Sequence, residues 1–253
     1  MNRLTRLLAP IAVGALLLAA WAWASGSGAV APFLLPSPAR VLTHLLASFT
    51  GTIAPAAWET LRAALIGCAA AVVVAGPLAY VIWRWRWADA ALSPYLAASQ
   101  AVPAIALAPL LAVWLGYGLT PTVVLCALIV FFPIFVATLN ALRGIDPDLL
   151  DAARLDGTTP AQLLIHIQAP LALPGFMSGL RAGFPLSITG AVVGEFVLGG
   201  KGMGMLLTAQ RQAANTAGMF ATILVLAVMA SLFYVALQIL EHLSPTIAAL
   251  RSK

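Results

Sequence analysis

Long apolar runs separated by short polar segments make up most of this sequence. Each run approaches the roughly 20 apolar residues that a helix needs to cross the hydrocarbon core of a bilayer. We predict six membrane-spanning helices, at residues 7–24, 61–83, 96–117, 121–142, 175–198 and 219–240. The pattern therefore indicates an all-α, polytopic membrane protein with a single transmembrane domain over residues 1–253, whose core lies at residues 58–242.

The first apolar run has two interpretations. Arg3 and Arg6 precede it and Ala22-Trp23-Ala24 closes it, a pattern that also fits a cleavable secretory signal peptide. Its length of 18 residues and the further spans favour a retained first helix. The next stretch, residues 25–58, is rich in glycine and proline and predicts an extramembrane loop with one short helix near residues 39–49.

Composition supports the membrane assignment. Charged residues are 8% of the chain and hydrophobic residues 62%, so a soluble fold of this length lacks the charges to cover its surface. The net charge of +5 is spread in ones and twos, which does not favour a nucleic-acid partner. Cys68 and Cys126 lie inside apolar runs, where we expect buried thiols and no disulfide or metal site.

The distribution of basic residues predicts the orientation. Six spans place both termini on one side, and that side carries nine basic residues, whereas the other carries four. The two sets are Arg3, Arg6, Arg84, Arg86, Arg143, Arg154, Arg181, Arg251 and Lys253, against Arg40, Arg62, Lys201 and Arg211. Because cytoplasmic loops are enriched in Lys and Arg, we expect both termini and the loop at residues 143–174 to be cytoplasmic.

This loop contains the signals of a first short helix. Asp146 is a typical N-cap residue, and Pro147 suits the first helical position. Asp148 and Asp151 lie in the first turns, where the helix dipole favours negative charge. Gly157 can end the helix in a left-handed conformation without a Cβ penalty.

A second helix should begin directly after this glycine. Thr159 and Gln162 have the spacing of a capping box. Pro170 and Pro174 are expected to end this helix before the next span. The loop therefore predicts two short helices that meet at a glycine corner.

The same loop resembles the EAA loop of ABC importer permeases. Asp151-Ala-Ala-Arg-Leu-Asp-Gly157, followed by Ile167-Gln-Ala-Pro170, matches its spacing, with Asp151 in place of Glu and Ala169 in place of Leu. Further segments resemble permeases of the nitrate, sulfonate and taurine type: Leu35-Pro-Ser-Pro38, Val102-Pro-Ala-Ile-Ala-Leu-Ala-Pro-Leu110, Phe132-Pro-Ile-Phe135 and Gly194-Glu195-Phe196. The resemblance covers about residues 30 to 242.

This resemblance implies a homodimer in the cell inner membrane, bound to two cytoplasmic ATPase subunits and served by an extracytoplasmic substrate-binding protein. The chain itself would need no cofactor and perform no catalysis, because ATP-Mg would be bound by the ATPase. The coupling residues would be Asp151, Ala152, Ala153, Arg154, Gly157, Ile167 and Pro170. The expected solute is a small organic or inorganic anion such as a sulfonate, taurine or nitrate; a pyrimidine or vitamin precursor or riboflavin is the alternative.

Three residues are candidates for lining the pathway. Pro103 and Pro109 would interrupt the third predicted span and release backbone carbonyls. Glu195 is the one acidic residue inside a predicted span, which indicates either a functional position or contact with interfacial water. Arg181, near the inner end of the same span, is expected to extend to the lipid headgroups.

Three other functional classes can be weighed on the sequence. The glycine-rich run from Gly199 to Gly204 lacks the spacing of a nucleotide-binding loop and predicts a flexible extracytoplasmic turn. No span carries the paired acidic or Ser/His groups that an intramembrane enzyme needs. A proton-coupled secondary transporter remains an alternative, because Glu195 could carry a proton.

Overall fold

The structure is a computed structural model that describes residues 3–28 and 30–243. Its regular elements in this part of the chain are all helices, as the sequence predicts. The α-helices are α1 Arg3–Gly26, α2 Pro38–Ser48, α3 Ala54–Arg84, α4 Arg86–Ser99, α5 Ala108–Leu115, α6 Leu119–Arg143, α7 Pro147–Leu155, α8 Pro160–Leu163, α9 Ala169–Leu198, α10 Met203–Gln212 and α11 Thr216–Leu243.

Four helical stretches in the described part of the chain are long and apolar enough to cross a membrane. They are Pro38–Arg84, Leu119–Arg143, Pro160–Leu198 and Thr216–Glu241, which contain the second, fourth, fifth and sixth predicted spans. Two shorter apolar helices, Ile11–Gly26 and Ala104–Leu115, overlap the other two predicted spans. The chain is therefore a polytopic helical membrane protein.

The third predicted span, residues 96–117, is wrong as one continuous helix. α4 ends at Ser99, and helix resumes only with a 3₁₀ turn at Ala104–Leu107 that leads into α5. Pro103 explains the break, because a proline disfavours the helical conformation of the residue before it. α5 then ends at Gly116, whose φ of +79° stops the helix.

The N-terminal helices pack on the rest of the molecule. α2 begins at Ser37, whose side chain accepts the N–H of Arg40, and it confirms the short helix expected near residues 39–49. The Trp21 indole of α1 donates to the carbonyl of Pro36 at 3.0 Å and stacks on Phe220 of α11. These contacts make α1 part of the packed structure, and its retention in the mature protein stays a prediction.

The central bundle consists of α3, α6 and α9. The start of α3 and the start of α6 both lie at the end of α9. Thr60 of α3 donates to Glu195, and the N–H of Gly118, just before α6, donates to the carbonyl of Leu198 at 2.9 Å. α3 and α6 therefore run in the same direction, and α9 runs in the opposite direction. Thr60 and Glu195 therefore lie at one end of the bundle, and the loop at residues 143–174 lies at the other. We call the end with Thr60 and Glu195 the Glu195 end, and the end with the loop at residues 143–174 the Gly157 end.

Glycines let α9 approach α6 closely. Gly175, Gly179 and Gly183 recur at the four-residue spacing that places them on one helix face, and each lies directly against α6. A Cβ atom at Gly179 would lie 2.8 Å from the carbonyl oxygen of Pro133. Small residues allow this approach in membranes, where packing and not the hydrophobic effect drives helix association.

We expect Gly179→Ala to destabilise the bundle, because the added methyl group meets backbone that cannot move independently. Overpacking of this kind costs about 1–3 kcal/mol. Gly76→Ala in α3 is the matched control, since nothing lies within 4 Å of a Cβ there. Thermal unfolding in detergent should show a lower midpoint for Gly179→Ala alone, and equal midpoints for both variants would contradict the close packing.

Candidate functional site: coupling loop and polar pocket

The first half of the loop at the Gly157 end is built by local capping. The Asp146 carboxylate accepts the N–H of Asp148 at 2.9 Å, and Pro147 occupies the first turn of α7. Gly157 has a φ of +80°, in the left-handed region that glycine adopts without strain. Both features agree with the sequence prediction.

The second half differs from the prediction at its end. Thr159 and Gln162 form the expected capping box at the start of α8. Pro170 and Pro174, however, do not end this helix, since a π-helical turn at Leu164–Gln168 continues α8 directly into α9. Pro170 lies just after the π-helical turn, and Pro174 lies inside α9.

The loop is fastened to the bundle by apolar contacts. Leu150 of α7 and Leu163 of α8 are each 6% exposed and belong to the main core with Leu142 and Ile145. Ala153 and Ile167 are partly buried against the same core. The glycine corner is therefore packed against the helices that cross the membrane.

The outer face of α7 presents two leucines that the sequence reasoning missed. Leu155 is 89% exposed and Leu149 46% exposed, beside the exposed Ala152. Arg154 and Asp151 form an exposed ion pair at 2.6 Å, which contributes little stability at a surface. Leu149, Ala152 and Leu155 therefore give α7 an exposed apolar face. The sequence signal was that Leu149 and Leu150 are adjacent. Because adjacent residues of a helix do not face the same side, Leu149 points outward when Leu150 packs inward.

At the opposite end, Glu195 is 4% exposed and accepts hydrogen bonds from α3 and α10. Its Oε1 accepts the Thr60 hydroxyl at 2.8 Å, and its Oε2 accepts the N–H of Gly204 at 2.7 Å. The Thr60 oxygen in turn accepts the N–H of Met203 at 2.8 Å. This network, which we call the Glu195 network, joins α3 and α9 to the first turn of α10.

The predicted pathway residues do not form one cluster. Pro103 precedes the 3₁₀ turn and Pro109 lies in the first turn of α5, and both are exposed. α5 packs through Ala108 and Leu111 on Leu198, near the Glu195 end. A role in lining the pathway stays a prediction for all three residues.

A polar pocket of about 330 Å³ lies beside the Glu195 network. Its charged residues are two acidic and two basic ones, Glu59, Glu195, Arg62 and Lys201, and one wall is the glycine turn at residues 199–202. A Cβ atom at Gly202 would overlap with the Glu195 carboxylate, so only glycine fits there. The sequence reasoning described this turn as flexible and did not single out Arg62.

The expected extension of Arg181 to the headgroups is wrong. Its guanidinium lies 3.0 Å from Glu241 of α11 and above the Tyr234 ring, and its side chain is 19% exposed. Glu241 is 2% exposed, so this is a buried ion pair between α9 and α11. A single buried charge in a membrane is unfavourable, and pairing offsets this.

Comparison with known proteins assigns the chain to a family. The family model described as the inner membrane component of binding-protein-dependent transport systems matches residues 65–247. The chain belongs to this family. Membership agrees with the resemblance seen in the loop, and it favours an ABC importer permease over the proton-coupled transporter that Glu195 had left open.

Two relatives illustrate the range of this permease family. The chain is 41% identical over 212 residues to the riboflavin transport system permease protein RibX of Chloroflexus aurantiacus, an alignment that covers 83% of this chain and 79% of that protein. It is 30% identical over 231 residues to the putative aliphatic sulfonates transport permease protein SsuC of Escherichia coli, covering 90% and 87%. The two relatives are named for different solutes, while both are permeases.

A solved permease complex has the same fold. The structure of the MetNI methionine ABC transporter in inward-facing conformations superposes with a TM-score of 0.68, covering 76% of this permease and 95% of that chain. The sequence identity is 22%, so the likeness concerns the fold alone.

Proposed function

We propose that this permease forms the translocation pathway of an ATP-driven importer by pairing with a second copy of itself. Two cytoplasmic ATPase subunits would bind ATP-Mg, and an extracytoplasmic binding protein would deliver the solute. ATP hydrolysis then belongs to the ATPase and not to this chain. The family description, which names a dependence on a binding protein, supports this division of labour.

The observation that carries the proposal is the geometry of α7. This short helix is capped at Asp146, ends at the Gly157 corner and presents Leu149 and Leu155 outward. Leu150 fastens it to the core beneath. A rigid helix with an apolar outer face and a firm attachment suits docking into a groove of an ATPase, which would place the Gly157 end and both termini in the cytoplasm.

For the solute, we propose a small organic or inorganic anion. The sulfonate permease named above supports this class, and the riboflavin permease supports the vitamin alternative. Uptake of taurine and of riboflavin by the complete complex in proteoliposomes would decide between them. Accumulation of riboflavin alone would overturn the anion assignment.

Co-purification with the ATPase tests the docking surface. We expect the double variant Asp151→Lys/Leu155→Asp to lose capture of the ATPase in detergent, because it places opposite charge and a carboxylate on the contact face. Loss of an interface hot spot costs 2 kcal/mol or more, roughly a thirtyfold weaker complex. Arg211→Asp, on α10 at the other end, is the control and should be captured normally. Equal capture of all three proteins would exclude α7 as the docking element.

A further inference from the structure

The third predicted span consists of two short helical segments that enter the bundle from opposite ends. α4 begins at the Gly157 end, because Asp89 in its first turn pairs with Arg143, the last residue of α6, at 2.8 Å. α5 finishes at the Glu195 end, because Gly116 and Gly118 join it directly to the start of α6. Residues 100–103 lie between the two segments and are not helical, and we call them the break.

The lengths of the helices place the break near the middle of the membrane. The 14 residues of α4 rise about 21 Å from the Gly157 end. The four residues of the 3₁₀ turn and the eight of α5 rise about 8 Å and about 12 Å toward the Glu195 end. α6, with 25 residues, covers the whole depth in about 37 Å. The break therefore lies about half-way between the two ends of the bundle.

The break exposes polar groups at this depth. Gln100, Ala101, Val102 and Pro103 are all exposed. Within residues 3–28 and 30–243, no hydrogen bond involves the Gln100 side chain or the carbonyl oxygens of residues 100–102. Lipid cannot satisfy these groups, because irregular backbone at membrane depth is tolerated only against protein or a water-filled cavity. In the membrane, the break is therefore covered by something other than lipid.

Depth and symmetry identify what covers the break. The ATPase and the binding protein would lie outside the membrane, so only a second membrane-embedded chain can reach residues at mid-depth. In a pair of identical chains, a surface on the two-fold axis meets the same surface of the other copy. Carbonyl oxygens then face carbonyl oxygens, and two acceptors cannot hydrogen-bond to each other. Water must therefore lie between the two surfaces.

We propose that the break lines a water-filled pathway near the middle of the membrane, across which it faces the break of a second copy. Gln100 supplies the polar side chain of this wall, and the carbonyl oxygens of residues 100–102 supply hydrogen-bond acceptors. This inference rests on the proposed function, and it names the segment that each copy contributes to the pathway at mid-depth.

Thiol labelling of the assembled transporter in lipid nanodiscs tests the contact with water. Gln100→Cys should react with the sulfonate-bearing methanethiosulfonate reagent, because water allows the reactive thiolate to form. Leu232→Cys is the control, since Leu232 is 63% exposed near the middle of the unbroken α11, where a thiol in lipid stays protonated. Labelling should be at least about tenfold faster at Gln100→Cys. The native Cys68 and Cys126 are buried. Equal rates at the two positions would overturn the inference.

Cross-linking in the same nanodiscs tests the partner. A flexible bifunctional methanethiosulfonate reagent should join two copies of the permease through Gln100→Cys, and the dimer should persist on a denaturing gel without reductant. Leu232→Cys should stay monomeric. Ala101→Cys, also in the break, should behave like Gln100→Cys and replaces it if that variant does not assemble. Fast labelling of the break without a cross-linked dimer through either variant would show that the two breaks do not face each other.

Capture of the ATPase is measured separately on the same variants. Both Gln100→Cys and Leu232→Cys should capture it normally, because neither residue lies in the loop at the Gly157 end. Failed capture together with fast labelling and cross-linking of the break would count against the importer function and leave the paired, water-filled break standing.

Discussion

Gly157→Val should abolish the stimulation of ATP hydrolysis by solute and binding protein in the assembled transporter. Gly157 has a φ of +80°, and nothing lies within 4 Å of a Cβ built there, so the defect is strain in the backbone and not a clash. A left-handed conformation costs an ordinary residue about 1–2 kcal/mol, and more for a β-branched one. The corner should reopen to relieve this strain, which changes the direction of α7 against the ATPase. ATPase rates in proteoliposomes measure the effect.

Two further variants make this prediction specific. Gly157→Asn should keep most of the stimulation, because asparagine tolerates the left-handed region. Gly144→Ala, at the start of the same loop, should also remain active, since its φ of −80° is ordinary for any residue. Normal stimulation in Gly157→Val would show that the corner does not transmit force.

Thr60→Val should strongly reduce uptake while the ATPase is still captured. Valine has nearly the shape of threonine, but it removes the donor to Glu195 and the acceptor of the Met203 N–H. Each buried polar group that loses its partner costs about 1–3 kcal/mol, so α10 should detach from α3 and α9. Glu195→Gln keeps one acceptor oxygen and should give a smaller loss. Solute uptake and the midpoint of thermal unfolding measure both variants.

The control is Thr208→Val on α10 itself. Its hydroxyl donates to the carbonyl of Gly204 within the same helix, at 3.2 Å, so only a local bond is lost. Uptake should stay near the wild-type level. Unchanged uptake in Thr60→Val and Glu195→Gln would mean that the Glu195 network has no part in transport.

The corner of the coupling loop could be predicted from the sequence because its determinants are local. The cap at Asp146, the left-handed Gly157 and the capping box of Thr159 and Gln162 each depend on residues within three positions of one another. The places of four of the six predicted spans follow similarly from run length.

Proline in apolar sequence was harder to interpret. Pro103 breaks the third predicted span, whereas Pro170 begins α9 and Pro174 lies within it. The same residue type can end, start or kink a helix, and an almost wholly apolar run gives no periodicity to distinguish these cases. The sequence alone therefore does not show which of these effects a given proline has.

Side-chain contacts between residues that are far apart in the sequence could not be predicted from it. Thr60 and Glu195 are 135 positions apart, and Arg181 meets Glu241 across two helices. Both acidic groups are buried by contacts that form only when the bundle assembles. A single sequence shows that a charge lies in an apolar context, and it does not show which group offsets it.

The π-helical turn at Leu164–Gln168 makes one rod of the stretch from Pro160 to Leu198. With a rise of 1.5 Å per residue, its 39 residues extend about 58 Å as ideal helix. A π turn holds one more residue than an α turn, and an α-helix rotates by about 100° for each residue. The extra residue of the π turn therefore sets the direction in which the Gly157 corner points around the helix axis, relative to Glu195 near the other end. Deleting one residue of the π turn would rotate α7 around this axis and leave the residues at both ends of the helix unchanged.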